Sequence, residues 1–240
     1  LEPLEEQVRR TLEIAKTQWR EQLDAANLPA ARAQAYAQLG QVYLAHNFHD
    51  AAADALDFAT SQVSQNPNWH FYFAAALERS FRLEEAQAAL SASLELQDRA
   101  EVRFLRAQIR ARMGDTRGAL ADLGTLKSNI QAQQESQEAD TSEASVPDGG
   151  TQAAWHALEA ELRARQRRYQ ESIDSLLTAV ELEPDASSLH GPLISLKQRL
   201  GESAQARSHL RKSGTWHPVA EQPLMSALAS LSRGSQYYLD

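Results

Sequence analysis

The chain has 240 residues, a formal net charge of −8 and no cysteine. That length can bury a substantial core in one large or two ordinary domains, the negative charge argues against a general nucleic-acid binder, and the missing thiols exclude disulfides, zinc–thiolate sites and thiol catalysis. Ala, Leu, Gln, Glu and Arg dominate while Val and Ile are scarce. Such a composition predicts helix, because unbranched side chains lose little rotamer freedom there. No uninterrupted apolar stretch reaches the roughly 18 residues of a membrane span.

In chain order, the first predicted element is an amphipathic helix from Pro3 to Asp24, within a segment 1–30, with Leu4, Val8, Leu12, Ala15, Trp19 and Leu23 on one face. A repeat follows. A small residue with a leucine four later recurs as Ala52/Leu56, Ala86/Leu90, Ala119/Leu123, Ser172/Leu176 and Ala206/Leu210, in steps of 34, 33, 53 and 34 residues. The long step falls where an acidic stretch interrupts the chain, so repeats one to three are expected over 31–134 and repeats four and five over 152–214. The insertion, 135–151, carries Glu135, Glu138, Asp140, Glu143 and Asp148 without a Lys or Arg, and reads as a flexible solvated loop into which the preceding helix continues. An alternative is that it folds back over the arginines described below. After His217-Pro218, the segment 215–240 holds a short helix with Leu224, Leu228 and Leu231 on one face. Both terminal helices are expected to cap the open ends of a stack.

Each period splits into two helices around a breaker, as at Gly114-Asp115 and Gly201-Glu202, with Asn66-Pro67 and Pro184-Asp185 between periods. Where the two helices of a pair meet, small residues are required: Gly40, Ala74, Ala107 and Ala160 from first helices, Ala52, Ala86 and Ala119 from second ones. Val42, Ile109, Leu162 and Leu196, with Leu56 to Leu210, are expected to fill the space between them.

Tyr36, Leu39-Gly40, Tyr43, Ala52, Leu56 and Ala59 in the first repeat, and Tyr169 through Ala179 to Pro184 in the fourth, resemble the tetratricopeptide consensus. The resemblance covers about three quarters of the chain and implies an all-α, right-handed α-solenoid of about five helix pairs with flanking N- and C-terminal helices. Arg110, Arg163 and Lys197 stand where the first repeat has Tyr43, and Ile194 stands where a small residue belongs.

In that family the concave groove is lined mainly by first helices. Carrying its positions over assigns Phe71, Tyr72 and Arg79 in repeat two, Phe104, Gln108 and Arg112 in repeat three, Arg165 in repeat four and Arg199 in repeat five. The expected surface is a ladder of guanidinium groups beside aromatic anchors, suited to a peptide bearing carboxylates and an apolar side chain. Arginine in the last turn of a helix also suits the macrodipole and covers apolar surface with its stem. Gln38 stands where the carboxylate clamp of chaperone-binding members has Asn, so a chaperone C-terminus is not the expected ligand.

No nucleophile elbow, phosphate-cradling glycine loop or paired-histidine metal motif is present. His46 and His49 beside Asp50 form the one close histidine pair and read as a polar turn; His70, His156 and His190, at equivalent positions, read as packed or rim residues. The expectation is therefore a non-enzymatic scaffold or adaptor, with no cofactor or metal, holding a protein or peptide in its groove and serving assembly of a larger complex. The alternative is a structural subunit of an envelope or secretion complex that uses its terminal helices for contacts. Self-association is open to either. The blocks Tyr36 to Ala59, Trp69 to Phe73 and His209 to Met225 are similar to bacterial tetratricopeptide proteins with a signal peptide or lipid anchor. That likeness implies a periplasmic or otherwise extracytoplasmic location and an anchor upstream of Leu1, with the cytoplasm as alternative.

Overall fold

The computed structural model describes residues 4–26, 28–137, 148–220 and 222–234. Among them are twelve α-helices, one short 3-10 turn and no strand. The helices are α1 (Leu4–Ala25), α2 (Pro29–Ala45), α3 (His49–Gln62), α4 (Pro67–Arg79), α5 (Leu83–Leu96), α6 (Ala100–Met113), α7 (Thr116–Gln137), α8 (Gly149–Arg165), α9 (Tyr169–Leu182), α10 (His190–Arg199), α11 (Ser203–Leu210) and α12 (Pro223–Gly234). None is long and apolar enough to cross a membrane. The chain forms two compact units: residues 1–109 with 222–240, and residues 110–221, the boundary falling inside α6.

The repeat is written most clearly in its turns. Asn47, Phe81, Gly114, Arg167 and Gly201 all have positive φ, between 60° and 85°, and recur with the spacing of the small-residue/leucine pairs. In every case the N–H of the next residue reaches back to a carbonyl near the end of the first helix: Phe48 to Tyr43, Arg82 to Leu77, Asp115 to Arg110, Arg168 to Arg163 and Glu202 to Lys197, all within 2.8–2.9 Å. This is a Schellman ending, in which one left-handed residue stops a helix and satisfies its orphan carbonyls. The five donating residues, Phe48, Arg82, Asp115, Arg168 and Glu202, are also the caps of the second helices. Their carbonyls accept from Ala52, Ala86, Ala119, Ser172 and Ala206. One turn geometry thus places the small residue at the start of each second helix, and all five are buried.

Close approach explains the small residues. A Cβ on Gly40 would sit 2.6 Å from Leu56 Cγ and 3.3 Å from the Ala52 carbonyl oxygen. In repeat four the Ser172 hydroxyl donates to the Ala160 carbonyl at 2.7 Å, so polarity is tolerated where the backbones meet. Between pairs, Asn66 caps α4 by accepting from the N–H groups of Asn68 and Trp69, and Asp148 caps α8 by accepting from Thr151.

In the first unit, α1 packs on α2, with Trp19 edge-on to Tyr36 at 5.3 Å, and α2/α3 and α4/α5 form successive pairs. The helix expected to cap the C-terminal end of the stack, α12, packs against α2 instead. In the second unit, α8/α9 and α10/α11 are the pairs, and α7 packs on α8. Leu210, expected in the interior, is 54% exposed; α11 ends at it, and no later helix of that unit covers it. Helix α7 continues through Gln137 as expected, while 138–147 of the acidic insertion, with the fold-back considered for it, lies outside the described residues.

Candidate functional site

In the second unit the first helices α8 and α10 wall a cavity of about 630 Å³. Its floor is apolar, from Ala157, Ala160, Leu176, Leu189 and Leu196, and polar groups stand at its margin: Glu161, Arg165, Ser195, Arg199 and His217. The Arg165 guanidinium is held at both ends, by Glu161 at 2.6 Å and by the Ala111 carbonyl at 2.8 Å. Arg199 lies over the ring of Tyr169, 5.8 Å from its centroid. A cation over an aromatic face is attracted by the ring's quadrupole, and the planar guanidinium fork matches a carboxylate. The cavity therefore offers an apolar slot beside a positioned positive charge.

The equivalent face of the first unit is covered by the protein itself. Helix α12 lies along α2, and Leu228, 3% exposed, belongs to the same apolar cluster as Ala33, Ala37, Leu44, Phe71 and Tyr72, with Leu224 and Met225 packed against it. The start of α12 meets α6, where both oxygens of Glu101 accept from the Leu224 N–H at 3.2 Å. Burial pushes the Glu101 carboxyl up from its ordinary value, and N–H donation from Leu224 and Met225 pulls it back in part.

Of the eight residues assigned to the groove, Arg165 and Arg199 line one cavity. Phe71, Tyr72 and Phe104 are interior side chains, 1%, 7% and 5% exposed, with Phe71 edge-on to Tyr72 at 5.7 Å. The sequence placed them on a face that an incoming partner sees, whereas Phe71 and Tyr72 belong to the apolar core of the first unit and Phe104 is buried on α6. Gln108 is half-buried on α6, and Arg112 is exposed near its end. Arg79 is exposed in the last turn of α4, at a shallow depression with Asn47, His49 and Phe81. The four-rung ladder thus divides, Arg79 in the first unit and the other three in the second.

The sequence reading missed Tyr169, Leu189 and His217 in the cavity and Glu101 on α6. Tyr169 comes from a second helix, Leu189 from the short turn before α10 and His217 from the segment after the last repeat, so a rule built on first helices omits them. One readable signal was the alanine spacing of α2: Ala33, Ala35 and Ala37 are all buried, and small residues on more than one side of a helix mark close neighbours there.

The departures from the tyrosine at Tyr43 have a common form. Arg110 pairs with the buried Asp122 at 2.9 Å, Lys197 donates to Gln205 at 2.6 Å and lies 3.4 Å from Glu202, and Arg163 binds Glu159 and Glu171. Each replaces an aromatic contact by a polar tie between the two helices of a pair. Burial pushes the Glu159 carboxyl up, but His156, 3.5 Å away, and hydrogen bonds from Lys127 and Arg163 outweigh it and hold the group well below the usual carboxylate range. His70 bonds the Ser64 carbonyl, and His190 and His209 meet through their Nδ1 atoms at 3.1 Å. Among the described residues no three His, Asp or Glu side chains gather to hold a metal ion.

No family model and no curated protein matches the sequence. Solved structures do. Residues 41 to the end of MamA from Desulfovibrio magneticus RS-1 match with a TM-score of 0.60 at 15% identity, over 84% of this chain and 96% of that one. A second MamA crystal structure matches with 0.61 at 10% identity, over 87% and 96%. YrrB, described as a TPR protein with an unusual peptide-binding site, matches with 0.60 at 12% identity, over 81% and 89%. The fold is accordingly the tetratricopeptide-repeat fold, an all-α solenoid of stacked helix pairs.

Proposed function

We propose that this chain is a non-enzymatic protein-interaction scaffold whose second unit binds a peptide segment in the cavity between α8 and α10. The observation that carries this reading is the pairing of an apolar floor with Arg199, whose guanidinium lies over the Tyr169 ring in the same cavity. A partner fits if it presents an apolar side chain to Leu176, Leu189 and Leu196 and a carboxylate to Arg199. YrrB's peptide-binding site supports the reading by showing what this architecture accommodates. The likeness of its sequence blocks to bacterial tetratricopeptide proteins with a signal peptide or lipid anchor supports a role outside the cytoplasm, in holding the components of a larger complex together.

The test places a photo-crosslinking residue at Ser195, which is exposed at the cavity margin, and compares the adducts formed in the native organism with and without Arg199→Glu. A protein adduct at Ser195 that disappears in the variant, with helicity retained, supports the reading. An adduct of equal yield in both overturns it.

A further inference from the structure

The first unit carries a second binding surface of different character. Helix α12 is reached through Arg211–Ala220, a stretch without helix and exposed over most of its length. It sinks one side chain fully, Leu228, and two partly, Leu224 and Met225, while Ser226, Ala227 and Leu231 face solvent. Its first turn is held by a carboxylate from a helix 123 residues earlier. That hold acts on backbone N–H groups, which any helix start presents, so it asks nothing of the occupant's side chains. The receiving face is built for an apolar occupant, since α2 buries Ala33, Ala37 and Leu44 as well as its contacts with α1 and α3.

We propose that this face of the first unit is a receptor for an amphipathic helix of a partner protein, and that α12 is its intramolecular occupant, which the partner displaces. The recognised partner is a short helix with large apolar side chains at the spacing of Leu224, Met225 and Leu228, a polar outer face, and a first turn left uncapped so that its N–H groups reach Glu101. This is helix-in-groove recognition, read by anchors one turn apart. Tethering keeps α12 at a high effective concentration, so the site is closed to weak competitors and open to a helix of better fit. The surface is separate from the cavity between α8 and α10, and either can exist without the other.

The probe is a fluorescent peptide with the sequence of α12, titrated into the full-length chain. Wild type is compared with Leu228→Asp, which releases its own helix, and with Leu228→Asp/Glu101→Ala. The expected result is peptide binding about ten-fold or more tighter to Leu228→Asp than to wild type, because removing the tethered competitor exposes the site. Binding should fall again with Glu101→Ala, and a peptide carrying the same Leu→Asp change should not bind. Equal affinity for wild type and Leu228→Asp, or no binding to a folded Leu228→Asp chain, overturns the proposal. Should that variant lose its helicity, a protease site inserted after the exposed Val219 in an otherwise unchanged chain gives the second measurement. After cleavage α12 should exchange for labelled peptide within minutes, and retention against excess peptide would show it to be fixed core. A wild-type dimer that Leu228→Asp dissolves would overturn the partner helix in favour of a second copy of this chain.

Discussion

Glu101 and Leu224 are joined across 123 residues of sequence: both oxygens of the carboxylate accept the same backbone N–H at 3.2 Å. Two physical effects oppose each other there. A carboxylate at a helix N-terminus is favoured by the orphan N–H groups and the macrodipole, while burial disfavours its charge and keeps its affinity for a proton above the ordinary value.

Glu101→Gln keeps an acceptor and removes the buried charge, so it should cost little, whereas Glu101→Ala leaves N–H groups unpaired at a cost of about 1–3 kcal/mol. Because the folded state holds this proton more tightly than the unfolded chain, the stability linked to Glu101 is full below the ordinary carboxylate range and falls as pH rises through the raised folded value. Urea unfolding of the three forms between pH 4 and 8, at about the ordinary carboxylate value and above, should show that component in wild type alone. Identical pH profiles would remove it.

Phe81 occupies the left-handed turn position with φ of 60°, and the residue is 80% exposed. A side chain there costs about 1–2 kcal/mol that glycine avoids, partly offset by glycine's larger chain entropy. Phe81→Gly should therefore raise the melting temperature, whereas Gly114→Ala and Gly201→Ala at the equivalent turns should lower it. A drop for Phe81→Gly would mean that the side chain contributes a contact of its own.

Asp122 is buried and bound to Arg110 at 2.9 Å. Removing one partner of a buried pair strands the other, at roughly 3–5 kcal/mol, so Asp122→Ala should be among the most damaging single changes in the second unit. Replacing both groups, as Arg110→Tyr with Asp122→Ala, restores the aromatic of the first repeat and should recover part of that loss. A double-mutant cycle by chemical denaturation measures the recovery, and strict additivity would dismiss the coupling.

His190 and His209 share an Nδ1–Nδ1 contact in which one neutral ring donates and the other accepts. Burial lowers the proton affinity of both; for His190 the charges of His209 and Lys212 lower it further, and for His209 those of Lys197 and Lys212. The unfolded chain then binds these protons more readily than the folded one, so the second unit should lose stability as pH falls below about 6.5, the ordinary imidazole value. His209→Phe should flatten that loss in thermal melts at pH 5 and 7.5. A loss of equal size in wild type and variant would assign it to other groups.

The periodic elements were legible because they obey local rules. The small residue at the head of each second helix, the leucine one turn later and the breaker between helices each follow from backbone geometry that recurs every 33 or 34 residues. Three turns lacked the glycine signal, since Asn47, Phe81 and Arg167 adopt the left-handed conformation that glycine favours; there the packing of the helices on either side determines the turn. Repeat spacing also brought Arg165 and Arg199 to the same cavity, because residues one period apart share a face.

What the sequence by itself determined, then, is the helix pair, its repetition and its small-residue contacts, all of which depend on neighbours within one period. Only the tertiary structure decided that Phe71 and Phe104 face inward, that Arg199 stacks on Tyr169, and that α12 returns to the first unit to be held by Glu101. Leu224, Leu228 and Leu231 show that α12 has an apolar face, but amphipathicity records only that a face must be covered. Which surface covers it depends on shape and charge brought together across more than a hundred residues, and no local periodicity encodes that distance.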